Sequence, residues 1–255
     1  MVERYDTRAS GTQAGAGARA TAYDEGLRAY MLRIYNYMTG GVLLTGIMAM
    51  LTYRVPALAE LLYDLVPTAN GYAIQGMTGL GWVVTIAPLG FVLVLSFGIN
   101  KLSASAAQAL FWAFAAVMGL SLSNIFFTYT GTSIARVFFI TAASFGALSL
   151  YGYTTKRDLS ALGKFLFMGL IGLIIAMVVN FFVASSMMQF IISVIGVLIF
   201  AGLTAYDTQR LKNMYYQVGY AGDAAKKFAI MGALMLYLDF INMFLFLLHL
   251  LGGRE

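Results

Sequence analysis

Residues 228–251 read FAIMGALMLYLDFINMFLFLLHLL. A helix of this length crosses the ~30 Å hydrocarbon core of a bilayer, and one acid, Asp239, stands in its middle. Asp239 lies about twelve residues in, roughly 18 Å along a helix axis. An aspartate side chain is too short to reach the interface from there, and on insertion scales the placement costs about 3 kcal/mol. An acid in so expensive a position marks a functional site, or else a protonated group that hydrogen-bonds a neighbouring helix.

Working outward, six apolar runs of similar length precede it, at about 31–53, 80–100, 105–129, 133–152, 163–184 and 188–210. Backbone groups in lipid must be satisfied within the segment, so these runs are helices. The alternating pattern of a membrane β-barrel is absent. The expected fold class is therefore all-α, a polytopic bundle of seven transmembrane helices. Composition agrees: 60% of the 255 residues are hydrophobic and 11% charged, against about a quarter charged in a soluble domain. Short gaps make successive helices antiparallel neighbours, and Pro88 is expected to kink the second run. Residues 1–30 are rich in Ala, Gly, Thr and Arg and lack the apolar stretch of a cleaved signal peptide. They read as a flexible cytoplasmic tail ahead of a transmembrane domain at 31–255.

With no cysteine, thiolate metal sites, disulfides and cysteine nucleophiles are excluded. His249 is the single histidine, which leaves no histidine-based zinc site. No cofactor is expected. The basic balance reflects loop lysines and arginines rather than a nucleic-acid partner; membrane lipid is the expected surrounding. With the tail on side one, that side holds Arg4, Arg8, Arg19, Arg28, Arg33, Lys101, Lys156, Arg157, Lys164, Arg210, Lys212, Lys226 and Lys227. The other side holds Arg54, Arg136 and Arg254. Lysine and arginine favour the cytoplasm, so the N-terminus is expected there, in an inner membrane. Gly40, Gly41, Gly46, Gly169, Gly172, Gly196 and Gly202 allow close helix approach. A monomer is compatible with all of this.

A second acid, Asp207, ends the sixth run in AYDTQRLK. It is placed either to pair with Arg210 at i+3 or to meet Asp239. The turn between the last two helices is expected at VGYAGD, residues 218–223. Folding antiparallel about residue 221 sets Asp207 level with about residue 235, one helical turn from Asp239. Two carboxyl groups in contact cannot both ionise cheaply and titrate as a unit. Gain or loss of their shared proton would bias helix packing. Ionised, the pair offers hard oxygen donors suited to Ca²⁺. Asn242 shares a helix face with Asp239. Asn124 and Asn180, with Ser121 and Ser123, stand at span depth and either line a polar path or make ordinary interhelical bonds.

At these residues the chain resembles the Bax-inhibitor-one (TMBIM) family, with a pattern similar to bacterial YccA-type members. The resemblance runs through SFGINKLSASAAQALFWAF, ARVFFITAASFGALSLYGYTTKRDLS, VIGVLIFAGLTAYDTQRLK and GALMLYLDFINMFLFLLHLLG, covering nearly everything after residue 30. It implies a bundle with the last helix central and six around it. It also implies that Asp207 and Asp239 form a di-aspartyl pair, and that the activity is a pH-sensitive Ca²⁺ leak. Eukaryotic relatives suppress cell death, and some YccA-type relatives modulate the membrane-bound, ATP-dependent FtsH protease. Calcium-leak members can carry an acid in span two and an arginine at its end; here residues 83–95 hold no acid and the span ends Asn100-Lys101. An enzyme is not expected. Intramembrane aspartyl proteases pair a Tyr-Asp like Tyr206-Asp207 with Gly-x-Gly-Asp, and Asp239 follows Leu236-Tyr237-Leu238 instead.

Overall fold

The computed structural model describes the backbone of residues 8–68, 71–218 and 222–253, and side chains over 25–68, 72–216 and 222–253. The elements are α1 (Arg8–Arg54), α2 (Pro56–Leu62), β1 (Tyr63–Thr68), β2 (Gly71–Met77), α3 (Gly79–Gly98), α4 (Ala104–Leu122), α5 (Ile125–Thr128), α6 (Gly131–Thr154), α7 (Ser160–Val183), α8 (Ser186–Val218) and α9 (Asp223–Leu251). Seven helical segments are long and apolar enough to cross a membrane, each matching one of the seven runs. The protein is an all-α polytopic membrane bundle.

The last helix is central. α9 packs against α8, α1, α6 and α4, and most of its middle turns are buried, with Leu236 and Tyr237 fully enclosed and only a stripe through Met231, Met235, Leu238 and Asn242 half-buried. A helix hydrophobic on every face is one the bundle surrounds. α3 packs mainly on α4, and α7 on α8, so these two form the outer flanks. Their outward side chains, such as Phe97, Phe165, Phe181 and Phe182, are exposed, as lipid-facing residues are.

Small residues set the approach distances. A Cβ added at Gly41 would lie 2.9 Å from Phe111, at Gly196 2.6 Å from Phe246, and at Gly202 2.6 Å from Leu166. Gly40 and Gly169 likewise face Trp112 and Ile199, whereas Gly46 and Gly172 meet nothing within 4 Å.

The structure departs from the sequence expectation in three places. Helix α1 begins at Arg8, and Leu27 and Tyr30 are buried in the bundle core, so the packed domain starts before residue 31. Tyr30 stacks on Tyr215 with ring centroids 5.3 Å apart, which ties this stretch to α8. Next, the connection after α1 is ordered: Pro56 opens α2 at a position where its missing N–H costs nothing, and β1 and β2 form an antiparallel hairpin. Lastly, the third run is broken at Ser123-Asn124 between α4 and α5. Ser123 Oγ donates to the Leu120 carbonyl at 2.7 Å, so the Tyr63 hydroxyl, 2.9 Å away, donates to Ser123. Ser123 therefore receives the hairpin instead of lining a path, and burial pushes the Tyr63 hydroxyl above its ordinary pKa.

Candidate functional site

The register of α8 on α9 decides where the two acids fall. Gly196 faces Phe246 and Gly232 faces Leu211. Both pairs are symmetric about residue 221 or 222, as the antiparallel arithmetic requires. The predicted turn at 218–223 falls largely on residues 219–221, which lie outside the described residues; Gly222 has φ 93°, a left-handed value suited to glycine. Asp207 then stands level with about residue 235, and Asp239 is one turn, roughly 6 Å, further along.

Both acids are buried, Asp207 at 9% exposure and Asp239 at 4%. Asp239 lies close enough for the charge of Asp207 to act on it. Asp239 Oδ2 is enclosed and has no hydrogen-bond partner among the described residues. Buried polar atoms are ordinarily satisfied, so an unsatisfied carboxyl oxygen calls for an explanation. A proton or cation shared between two acids supplies one. Arg210 does not: it is exposed, and the one salt bridge among the described residues joins Lys226 to Asp223. Of the two alternatives for Asp207, the ion pair with Arg210 is therefore not formed.

The other sequence candidates lie elsewhere. Asn242 is half-buried and spends its amide on its own helix, donating to the Leu238 carbonyl at 2.8 Å. Asn180 holds the turn from α7 to α8. Its Oδ1 accepts from Ser185 N and its Nδ2 donates to Gln189, while Ala184 between them takes a left-handed φ of 52°. That turn closes one wall of a cavity shared with His249, at the far end of α9. Asn124 precedes Ile125, which packs with Phe244 and Leu248, also beyond Asp239. The structure thus brings Asp207 and Asp239 together and leaves Asn124 and Asn180 at the opposite end of the bundle.

A hydroxyl chain not foreseen from the sequence lies beside Asp207. Thr208 Oγ1 donates to the Thr204 carbonyl at 2.8 Å, so Ser149 Oγ, 2.9 Å away, donates to Thr208. The Tyr35 hydroxyl then donates to Ser149. The chain joins α1, α6 and α8. Its members are far apart in sequence and carry no local motif; the only sequence signal is a polar residue at span depth on each of three helices.

The described residues contain no group of three or more His, Cys, Asp or Glu side chains. Resident Ca²⁺ takes about 6–8 oxygens, and two carboxylates supply at most four. The pair suits a proton or a passing cation better than a held metal.

The family described as inhibitor of apoptosis-promoting Bax1 matches residues 27–255. The inner membrane protein YbhL of Escherichia coli K12 is 47% identical over 90% of this chain and 94% of its own. Protein RP147 of Rickettsia prowazekii is 48% identical over 91% of this chain and 93% of its own. A protein of Deinococcus radiodurans is 42% identical over 90% and 92%.

Proposed function

This chain belongs to the Bax inhibitor-one family, and we propose that it is a pH-sensitive cation leak of a bacterial inner membrane, gated by Asp207 and Asp239. The observation that carries this reading is the unsatisfied, buried Oδ2 of Asp239 beside the charge of Asp207. A buried polar network that is only partly satisfied is poised to change with one proton. Ca²⁺ is the proposed cargo, because carboxylate oxygens suit a hard cation. The N-terminus is cytoplasmic in this reading, which places the arginine- and lysine-rich end of the bundle inside. YbhL is named an inner membrane protein, and the same location is proposed here. The protein acts without catalysing a covalent reaction.

Purified protein in liposomes tests this. Ca²⁺ flux is expected to vary with pH, and Asp239→Asn and Asp207→Asn are each expected to flatten that variation. Absence of flux from the wild type overturns the leak. Unchanged profiles in both variants overturn the gating.

A second reading rests on α1, which is 47 residues long although its spanning part is Glu25–Arg54. The preceding turns offer a surface to a membrane-bound ATP-dependent protease of the FtsH type. Deleting residues 1–22, which leaves Leu27 and Tyr30 in place, is expected to abolish modulation of the protease while flux persists. Unaltered protease activity in the deletion sinks this reading.

A further inference from the structure

Helices α1 and α6 both lie on α9 but scarcely touch one another. The seam between them opens into a groove of about 680 Å³. Along α1 it runs from Arg28 to Leu43, and along α6 from Tyr153 back to Phe138. Fifteen residues at 1.5 Å each make it roughly 22 Å long, more than one leaflet's ~15 Å half of the hydrocarbon core. Its floor is buried and apolar, built from Met31, Met38, Phe145 and Phe240. Its rim residues Leu32, Leu43 and Leu150 are exposed, so it opens sideways, toward lipid.

Two features identify an occupant. Two of the hydroxyls on the wall, Tyr35 and Ser149, donate inside the protein, to Ser149 and Thr208 respectively, and with Thr39 and Tyr153 they are the only hydroxyl-bearing residues in a lining that is otherwise almost wholly apolar. The mouth, by contrast, is cationic. Arg28 lines it, is exposed, and makes no ion pair among the described residues. Glu25, one turn earlier, does not reach it. Tyr153, opposite Arg28, carries the Lys212 ammonium, which donates to the Tyr153 carbonyl at 2.8 Å and sits 5.1 Å from the ring centroid. The groove is therefore apolar along its length and positive at the end where a headgroup would sit.

We propose that the α1–α6 groove binds one acyl chain of an anionic phospholipid, with the lipid phosphate held at Arg28. This goes beyond the leak reading and does not depend on it. The phosphate takes the free guanidinium, for which Arg is well suited, and the chain covers Phe145 and Phe240. Bound lipid would then touch the central helix one residue from Asp239.

Gly146 supplies the test. It lines the groove, and a Cβ built there meets nothing within 4 Å, so a large side chain enters the groove rather than the protein. Full-length wild type, Gly146→Trp and Arg28→Gln are incubated with phosphatidylglycerol or with phosphatidylcholine of the same chains. Retained lipid is then counted by native mass spectrometry after delipidation. Wild type is expected to keep one phosphatidylglycerol in preference to phosphatidylcholine. Gly146→Trp should lose it, and Arg28→Gln should hold it about fivefold more weakly, the weight of one arginine at an anionic surface. Equal retention of the two lipids by wild type overturns the headgroup assignment. Retention by Gly146→Trp equal to wild type overturns the groove. Arg28 is exposed, so the Arg28→Gln result stands even if the tryptophan variant fails to fold; undiminished phosphatidylglycerol binding there also overturns the proposal.

Discussion

Thr45 has one hydroxyl proton and two neighbours. It donates that proton to the Ala115 carbonyl at 2.8 Å, so the Tyr237 hydroxyl, 2.7 Å away, must donate to Thr45. The bond pins the central helix to α1 and α4 two residues before Asp239. Tyr237→Phe removes one donor and leaves Thr45 still bonded; the expected loss is about 1 kcal/mol. Thr45→Val strands the buried Tyr237 hydroxyl, and the loss should reach about 1–3 kcal/mol. Thermal unfolding in one detergent ranks the two, and equal losses would contradict the assigned donor. Asp158, outside the spans, allows a pH prediction. The Ser160 hydroxyl and backbone N–H hold its carboxyl below the ordinary carboxylate range, the N–H bond measuring 2.9 Å. A depressed folded value means the bond contributes fully above the unfolded value and is lost as pH falls through the folded one. Amide exchange at Ser160 should therefore quicken, relative to its intrinsic rate, on acidification in wild type. It should show no such step in Asp158→Asn.

At the scale of elements, α6 contains its own control. A Cβ at Gly152 would lie 2.1 Å from the Ala205 carbonyl oxygen, whereas one at Gly146 meets nothing within 4 Å. Both glycines sit inside the same helix, so the gain in helix propensity from alanine, up to ~1 kcal/mol, is common to both. Gly146→Ala is expected to be neutral or stabilising. Gly152→Ala must push α6 off α8 and is expected to cost about 1–3 kcal/mol. Because Ala205 is two residues from Asp207, that displacement should also alter the pH response of flux; a Gly152→Ala protein as stable as Gly146→Ala would show that the contact is soft. The helices themselves were legible in the sequence because ~20 apolar residues have one cheap conformation in lipid. The hairpin was not. Strands of six and seven residues fall below any hydropathy window, and Pro67 in β1 argues against a strand unless the strand is an edge, as both strands of a two-stranded sheet are. The start of the domain was misplaced for a related reason: Leu27 and Tyr30 lie just ahead of the continuous apolar run, with Arg28 between them, and only their burial, and the stacking of Tyr30 on Tyr215, reveals them as core. Of the candidate site, the two acids were legible because burial of a charge is conspicuous and an antiparallel turn fixes register. The asparagines were not, because a span-depth amide bonds its own helix or turn as readily as a neighbour's.

For the whole molecule, the question is whether Asp207 and Asp239 act as one switch. α9 is the helix that α1, α4, α6 and α8 all pack on, so any shift of its packing against α8 is felt by every inner helix. A protein interior is close-packed and responds to such shifts by choosing between arrangements, not by deforming smoothly. If the two acids titrate together, either one alone is enough to break the switch. Asp207→Asn and Asp239→Asn should each remove the pH dependence of Ca²⁺ flux. The double variant should match either single one, because there is no second switch left to lose. Independent groups would behave differently, each single variant removing its own part and the double removing the sum, as distant sites do. Flux across a range of pH in the wild type and the three variants decides between them. Additive changes would mean that burial brought two acids near each other without making them one functional unit.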